Sequence, residues 1–224
     1  METIRETPWD KRNFNIDTYE ILDYSEETLE KTDTLNGHFT IKVNPLENPE
    51  LLLKHGFYYM DTLIEPVCQR KNLTIYQKNG TSISREYDWE QIAHIADEAF
   101  MHGRFHRDFH IPNHLADLRY ANWVKDLQKQ DNIFALKYNG QTVGFYGYVH
   151  DKVLLLGIKK DFRKLGLAKA FTSQGCLEQF NLGYDQLRTS ISAANVASLN
   201  LFYALGFRLS DTVDVYHKLS GPGV

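Results

Sequence analysis

The chain has 224 residues, of which 42% are hydrophobic and 24% charged, with a formal net charge of −4, enough to bury a good core in one large domain or one and a half small ones. This slightly acidic balance provides no basic footprint for DNA or RNA, so no nucleic-acid partner is expected. Cys68 and Cys176 lie far apart without metal-ligand spacing, and no apolar run approaches a membrane span or a leader, so the expectation is a soluble cytoplasmic protein without disulfides, zinc or membrane insertion.

In chain order, residues 1–75 carry strand candidates at 18–22, 39–43 and 58–64, with helical segments near 26–32 and 49–55. Gly56-Phe57-Tyr58-Tyr59-Met60-Asp61-Thr62 and Gly206-Phe207-Arg208-Leu209-Ser210-Asp211-Thr212 share the pattern G-F-x-x-x-D-T, each after a Leu-rich helical segment and before a strand. Two readings are open: an internal repeat, or a common way of ending a helix with glycine.

Residues 72–87 read as a strand and a polar turn at Asn79-Gly80. Asp88-Trp89-Glu90-Gln91 offers a capping box for a helix whose inner face is Ile92, Ile95, Ala96, Ala99 and Phe100. The next stretch, residues 101–114, is rich in His, Arg and Phe, and a helix through 115–127 follows with Tyr120 and Trp123. On a continuous helix His102, His106, His110 and His114 would share a face, but Gly103 and Pro112 interrupt it and no Cys or carboxylate cluster completes a metal site. A loop binding an anionic substrate fits better: Arg104, His106 and Arg107 can hold phosphate, and Phe105 and Phe109 offer ring faces. A solvated basic loop is the alternative.

Segments 132–138 and 142–149 form a hairpin across Asn139-Gly140, with Tyr146 or Tyr148 a candidate to face a substrate. The apolar run 153–158 reads as a buried strand, in which Gly157 marks a bulge or a close backbone approach. After a charged turn the apolar spacing changes to that of a helix, at Leu165, Ala168, Phe171, Leu177 and Phe180. A helix start leaves N–H groups unpaired at the positive end of its dipole, so the junction Arg163-Lys164-Leu165-Gly166-Leu167-Ala168 can hold a phosphate. It can equally be a tight turn with solvated bases. A strand at 184–191, a helix at 195–205 and closing strands at 207–219 complete the chain.

Taken together, Arg163 to Ala168 between strand and helix, and Asn195 to Phe207 after the next strand, resemble the GCN5-related N-acetyltransferase superfamily over roughly residues 84–219. Its R/Q-x-x-G-x-G/A loop holds the pyrophosphate of acetyl-CoA, and its N-x-x-x-x-x-x-Y-x-x-x-G-F helix is matched except at the Tyr. The resemblance implies an α/β (α+β) fold with a mixed, mostly antiparallel sheet, helices on both faces and a splayed strand pair. It implies acetyl-CoA as the cofactor, held by Arg163, Lys164, Leu165, Gly166, Leu167, Ala168 and Asn195, with the backbone from Leu156 through Gly157 to Ile158 orienting the thioester. Asn195 would also serve as a helix N-cap. On this basis residues 1–75 are expected to be a partial copy of the acetyltransferase unit lacking the phosphate turn, and residues 76–224 the complete one.

Within the superfamily, Gly103-Arg104-Phe105-His106-Arg107-Asp108-Phe109-His110-Ile111-Pro112 and the following helix are similar to the dTDP-fucosamine acetyltransferase group, which also has an N-terminal partial domain. That likeness implies acetylation of the amine of a dTDP-4-amino-4,6-dideoxy sugar for surface polysaccharides, with Arg104, Phe105, His106, Arg107 and Tyr146 on the acceptor and a homodimer as the assembly to test. Phe202 stands where the superfamily often has the Tyr that protonates the departing thiolate, leaving Tyr203 or water as the acid. His106 and Asp108 are candidates to draw the amine proton through water. The competing functions are acetylation of a peptide N-terminus, polyamine or antibiotic, and noncatalytic binding of acyl-CoA. The basic residues from Arg104 to Arg107 favour an anionic acceptor over a polyamine.

Overall fold

The structure, a computed structural model, describes residues 2–100 and 103–221. Its elements in order are β1 (Ile4–Glu6), α1 (Pro8–Phe14), β2 (Thr18–Ile21), α2 (Glu26–Thr34), β3 (Gly37–Val43), α3 (Glu50–Lys54), β4 (Tyr58–Gln69), β5 (Thr81–Ser84), α4 (Trp89–Ala99), the short α5 (Arg104–Arg107) and α6 (Asn113–Lys129). The remainder is β6 (Ile133–Tyr138), β7 (Gln141–Val149), β8 (Lys152–Ile158), α7 (Leu167–Asn181), β9 (Gln186–Arg188), β10 (Ile191–Ser192), α8 (Val196–Ala204) and β11 (Arg208–Ser220). No helix among the described residues is long and apolar enough to cross a membrane.

The strands form one mixed sheet in the order β1-β2-β3-β11-β4-β9-β8-β7-β6-β5, with β10 paired to β4. Among the described residues only β2 with β3 and β8 with β9 are parallel. The sequences of β6 to β8 are apolar on successive residues because helices cover both faces. Ile133, Ala135, Phe145 and Leu155 pack on Ile92 and Ile95 of α4 and on Val124 and Leu127 of α6. Phe134, Leu136, Tyr146 and Val153, which point the other way, pack on Phe171, Cys176 and Phe180 of α7. Each such side chain, when fully enclosed, contributes about 1.5–3 kcal/mol. Asp88 caps α4 as its spacing predicts, accepting from the Glu90 N–H.

Several elements depart from the sequence expectations. The strand expected at 58–64 runs on to Gln69, and the one expected across 72–87 is confined to β5. In between, the backbone of Tyr76 is hydrogen-bonded by the Ser173 hydroxyl of α7 instead of a neighbouring strand. The strand expected at 184–191 is divided into β9 and β10 between Arg188 and Ile191, and the closing segment is a single strand of 13 residues. Strand β1 and helix α1, which opens with Pro8 in its first turn, lack the apolar periodicity that would have revealed them.

The sheet does not break near residue 75. Strand β4 pairs with β11, β9 and β10, all at residues 186–220, and with no strand of residues 1–57. The antiparallel register of β4 on β11 is symmetric about the pair Leu63–Val213. Asp61 faces Val215 while Asp211 faces Glu65, and Thr62 faces Asp214 while Thr212 faces Ile64. The two register shifts, one skipping Met60 and the other Ser210, exchange under the same approximate twofold axis. Both copies of G-F-x-x-x-D-T therefore enter the centre of the sheet from opposite ends, and the parallel pair β2/β3 on one side matches the parallel pair β8/β9 on the other.

Candidate functional site

The strands β8 and β9 share a single pair, Lys152 with Arg188, and then part. On one wall the amide of Lys159 bonds the Val143 carbonyl, so by antiparallel alternation the polar groups of Gly157 and Leu155 are turned to β7 and those of Leu156 and Ile158 to the gap. On the other wall the amides of Thr189 and Ala193 bond Pro66 and Thr62 of β4. The irregularity in β8 lies at Leu154, skipped between the pairs of Leu155 and Val153, and not at Gly157. Gly157 has a packing reason: a Cβ there would come within 2.4 Å of the Phe145 ring.

The gap ends at the turn before α7. Lys164 (φ 62°) and Gly166 (φ 72°) are both left-handed, and Gly166 is the N-cap of a 15-residue helix whose first amides are free of any side-chain cap. The Arg163 guanidinium bonds the carbonyls of Ile158 (2.8 Å) and Glu98 (3.0 Å), tying the turn to the end of β8 and to α4. Lys78 donates to the Leu165 carbonyl and holds its ammonium beside Gly166. The Lys78 ammonium thus lies beside a cluster of free amides, the arrangement an anion such as a diphosphate needs. Asn195 caps α8 through its bond from the Ser198 N–H (3.1 Å).

The acceptor-loop candidates are placed differently from the sequence expectation. Phe105 is 1% exposed, stacked on His217 (centroids 5.2 Å apart) and covered by the Arg119 guanidinium at 4.4 Å, so it offers no open face to a base or sugar. Tyr146 is fully buried against α7, on the sheet face opposite α4 and α6, with its hydroxyl on Gln179 (2.7 Å); it faces no acceptor. The His106 ring accepts from the Gly103 amide, bonds Asp117 (2.9 Å) and stacks on Tyr120, so it fixes the start of α5. Phe109 is fully exposed. Arg104 lies over Phe105, and burial followed by the nearby Arg119 charge lowers its pKa. Arg107 reaches Asp61 of β4 (2.7 Å). Of the four-histidine set, His102 lies outside the described residues.

Asp108 is an anchor and not an exposed base. Its carboxylate accepts from His217 Nδ1 (2.7 Å), His38 Nε2 (3.2 Å), the Tyr58 hydroxyl (2.9 Å) and the His110 amide (3.0 Å), with the carboxylate and both imidazoles almost wholly buried. Burial alone would raise this carboxyl, but the bonds from His217 and His38 hold it well below the usual carboxylate range. Burial pushes His217 down to about 3, so at neutral pH it is an uncharged donor. The loop carrying Arg104 to Arg107 is thereby fastened to β3, β4 and β11. The spacing of His38, Asp108 and His217 would also admit a metal, but the carboxylate oxygens already take four donors. Sequence reasoning missed His38, Tyr58 and His217 because they lie 50 to 109 residues from Asp108, in strands that read as ordinary core.

Tyr203 is 61% exposed, with the Arg208 guanidinium 4.7 Å from its ring centre, while Phe202 is buried edge-on against Phe207. As α8 packs on the α7 side, the structure does not bring Tyr203 together with His106 and Asp108, which belong to the α6 side.

No family model and no curated protein matches the chain. Solved structures do. A GCN5-related N-acetyltransferase from Sphaerobacter thermophilus superposes with a TM-score of 0.65 at 11% identity, covering 99% of this chain and 77% of its own. A functionally unknown conserved protein from Staphylococcus epidermidis gives 0.68 at 12%, covering 95% and 89%. A tandem GNAT protein from the clavulanic acid biosynthesis pathway gives 0.56 at 11%, covering 92% and 76%. The mixed sheet, the helices on both faces and the parted parallel pair are those of the GCN5-related N-acetyltransferase fold.

Proposed function

We propose that the protein transfers the acetyl group of acetyl-CoA to the amine of a small acceptor by direct attack in a ternary complex. The observation carrying this reading is the gap between β8 and β9, with the polar backbone of Leu156 and Ile158 turned into it, ending at the Gly166 turn. The free amides of Leu167 and Ala168, with Lys164 and Lys78, would hold the diphosphate, and the gap would take the pantetheine arm as a strand-like filler. Bound there, acetyl-CoA supplies an activated thioester.

The chain's own groups then have defined work. The Ile158 N–H stabilises the oxygen charge that develops as a neutral amine attacks the carbonyl carbon. The C–N bond forms and the C–S bond breaks with its electron pair on sulfur. The nitrogen gives up one proton and the thiolate takes one up, both through water, since neither Phe202 nor Tyr203 is placed as a buried acid. A cysteine nucleophile has no part: burial pushes Cys68 up to about 11 and Cys176 up to about 12, so both stay as thiols.

The test is calorimetry with coenzyme A on folded protein. Uptake at micromolar concentration is the expected result, with thiol release on adding an amine; absence of uptake overturns the reading, and uptake without turnover of any amine favours an acyl-CoA-binding module.

Arg107 favours an acceptor bearing an anionic group. The dTDP-4-amino sugar suggested by the loop motif is one such acceptor, though with Phe105 and Tyr146 enclosed its contacts would fall to Arg107 and Phe109. For residues 1–75 we infer a partial copy of the acetyltransferase unit. The symmetric register of β4 on β11 and the matching parallel pairs support this.

A further inference from the structure

Counted from their last pair, with the extra residue Leu154 left out of the β8 register, Gly157 on β8 and Ser192 on the other wall are each four register positions further along and so stand level across the gap. The Ser192 hydroxyl donates to Asp61 Oδ1 (2.8 Å) and accepts from Arg107 Nη2 (3.4 Å) and from the Ala194 amide (3.2 Å). Arg107 Nη2 also lies 2.7 Å from Asp61 Oδ2. The Asp61 side chain is 4% exposed and that of Arg107 36%. Arg107 Nε is buried and has no hydrogen-bond partner among the described residues. Behind Ser192 on that wall there is thus a buried carboxylate, and beside it a guanidinium with one buried N–H left without a partner among the described residues.

We propose that Asp61, Arg107 and Ser192 form the acceptor site, and that the acceptor is a zwitterion with a carboxylate adjacent to its amine, a free α-amino acid being the simplest. This rests on the acetyl-transfer reading. The ion pair across the site already mimics such a molecule: the acceptor's ammonium takes the place of Arg107 on Asp61, and its carboxylate takes the place of Asp61 on Arg107. Every charge is paired before and after. An amine lacking the carboxylate would open the same pair and leave the guanidinium, whose Nε is already buried and unpaired among the described residues, without its carboxylate partner, which disfavours that amine. A sugar nucleotide meets the opposite obstacle, since its diphosphate would have to lie against the Asp61 carboxylate. The ammonium held at Asp61 gives one proton to water to become the nucleophile, and the neutral amine then lies across from Gly157, next to the Ile158 N–H.

The experiment measures coenzyme release by the full chain with acetyl-CoA and three groups of acceptors: α-amino acids, the amines obtained from them by decarboxylation, and a dTDP-4-amino sugar. The expected result is a kcat/KM at least about a hundredfold higher for amino acids than for the matching amines. Arg107→Met should abolish that preference, with Arg107→Lys restoring part of it, and Asp61→Asn should depress both groups alike. Coenzyme A titration of each variant verifies that the fold and cofactor turn survive; if Asp61→Asn fails to fold, Ser192→Ala, expected to weaken amino acids several-fold in KM, takes its place. Equal use of amines with and without a carboxylate, or preference for the sugar nucleotide, or coenzyme A uptake with no amino acid turned over, overturns this proposal and leaves acetyl transfer or cofactor binding standing. Absence of coenzyme A uptake overturns both.

Discussion

On the proposed reading of the turn, Gly166→Val should weaken coenzyme A binding at least about a hundredfold while leaving the protein folded. The cause is backbone conformation and not crowding: Gly166 sits at φ 72°, and a Cβ built there meets only the Lys78 ammonium, 3.6 Å away. A β-branched residue in the left-handed region is strained by one to a few kcal/mol and relaxes by rotating the peptide. That rotation turns away the amides at the head of α7. Two charge-assisted bonds to a phosphate, each worth about 1.5–3 kcal/mol, would be lost or distorted. Gly166→Ala, which tolerates the conformation better, should fall between wild type and valine. Calorimetry with coenzyme A, beside thermal melts showing a modest change in stability, checks the expectation; valine binding within threefold of wild type would exclude the turn as the diphosphate site.

Asp108→Ala should cost roughly 3–5 kcal/mol of stability, because it leaves the buried His38 and His217 donors without an acceptor, at about 1–3 kcal/mol each, and releases the loop bonds from Tyr58 and the His110 amide. Tyr58, His38, His217 and the His110 amide all lose their acceptor. The same cluster makes the wild type sensitive to acid. His217 has its ordinary affinity for protons when unfolded and is pushed down to about 3 when folded, mainly by burial, so between those values the unfolded chain binds the extra proton. Stability therefore rises with pH across this window and is lost on acidification, by roughly 1.5 kcal/mol between pH 6.5 and pH 5 from this one group. The carboxyl of Asp108, held low, adds a loss of the same sign at more acidic pH. Urea unfolding at stepped pH measures both, and His217→Gln should flatten the slope above pH 5.

Local chemistry made much of this legible in advance. The Gly166 turn, the Asp88 cap and the Asn139-Gly140 hairpin each declare themselves within a few residues, and each is present. What stayed hidden depends on residues distant in sequence. Nothing near Tyr146 says that its ring points to α7, because a strand covered on both faces has no polar side to orient it. Likewise the pairing of Asp61 with Arg107 and Ser192 joins three separate segments, and only the packing of α5 on β4 makes it visible. The repeat of G-F-x-x-x-D-T could be seen in the sequence, but not that its two copies would lie beside each other.

That adjacency constrains how the molecule can be made. Every partner of β4 is synthesised more than a hundred residues after it, and β3 obtains its second neighbour only when β11 exists. A growing chain therefore carries β3 and β4 with unpaired edges until residues 186–220 have been made. Contacts of such long sequence separation slow folding and leave apolar surface exposed in its intermediates.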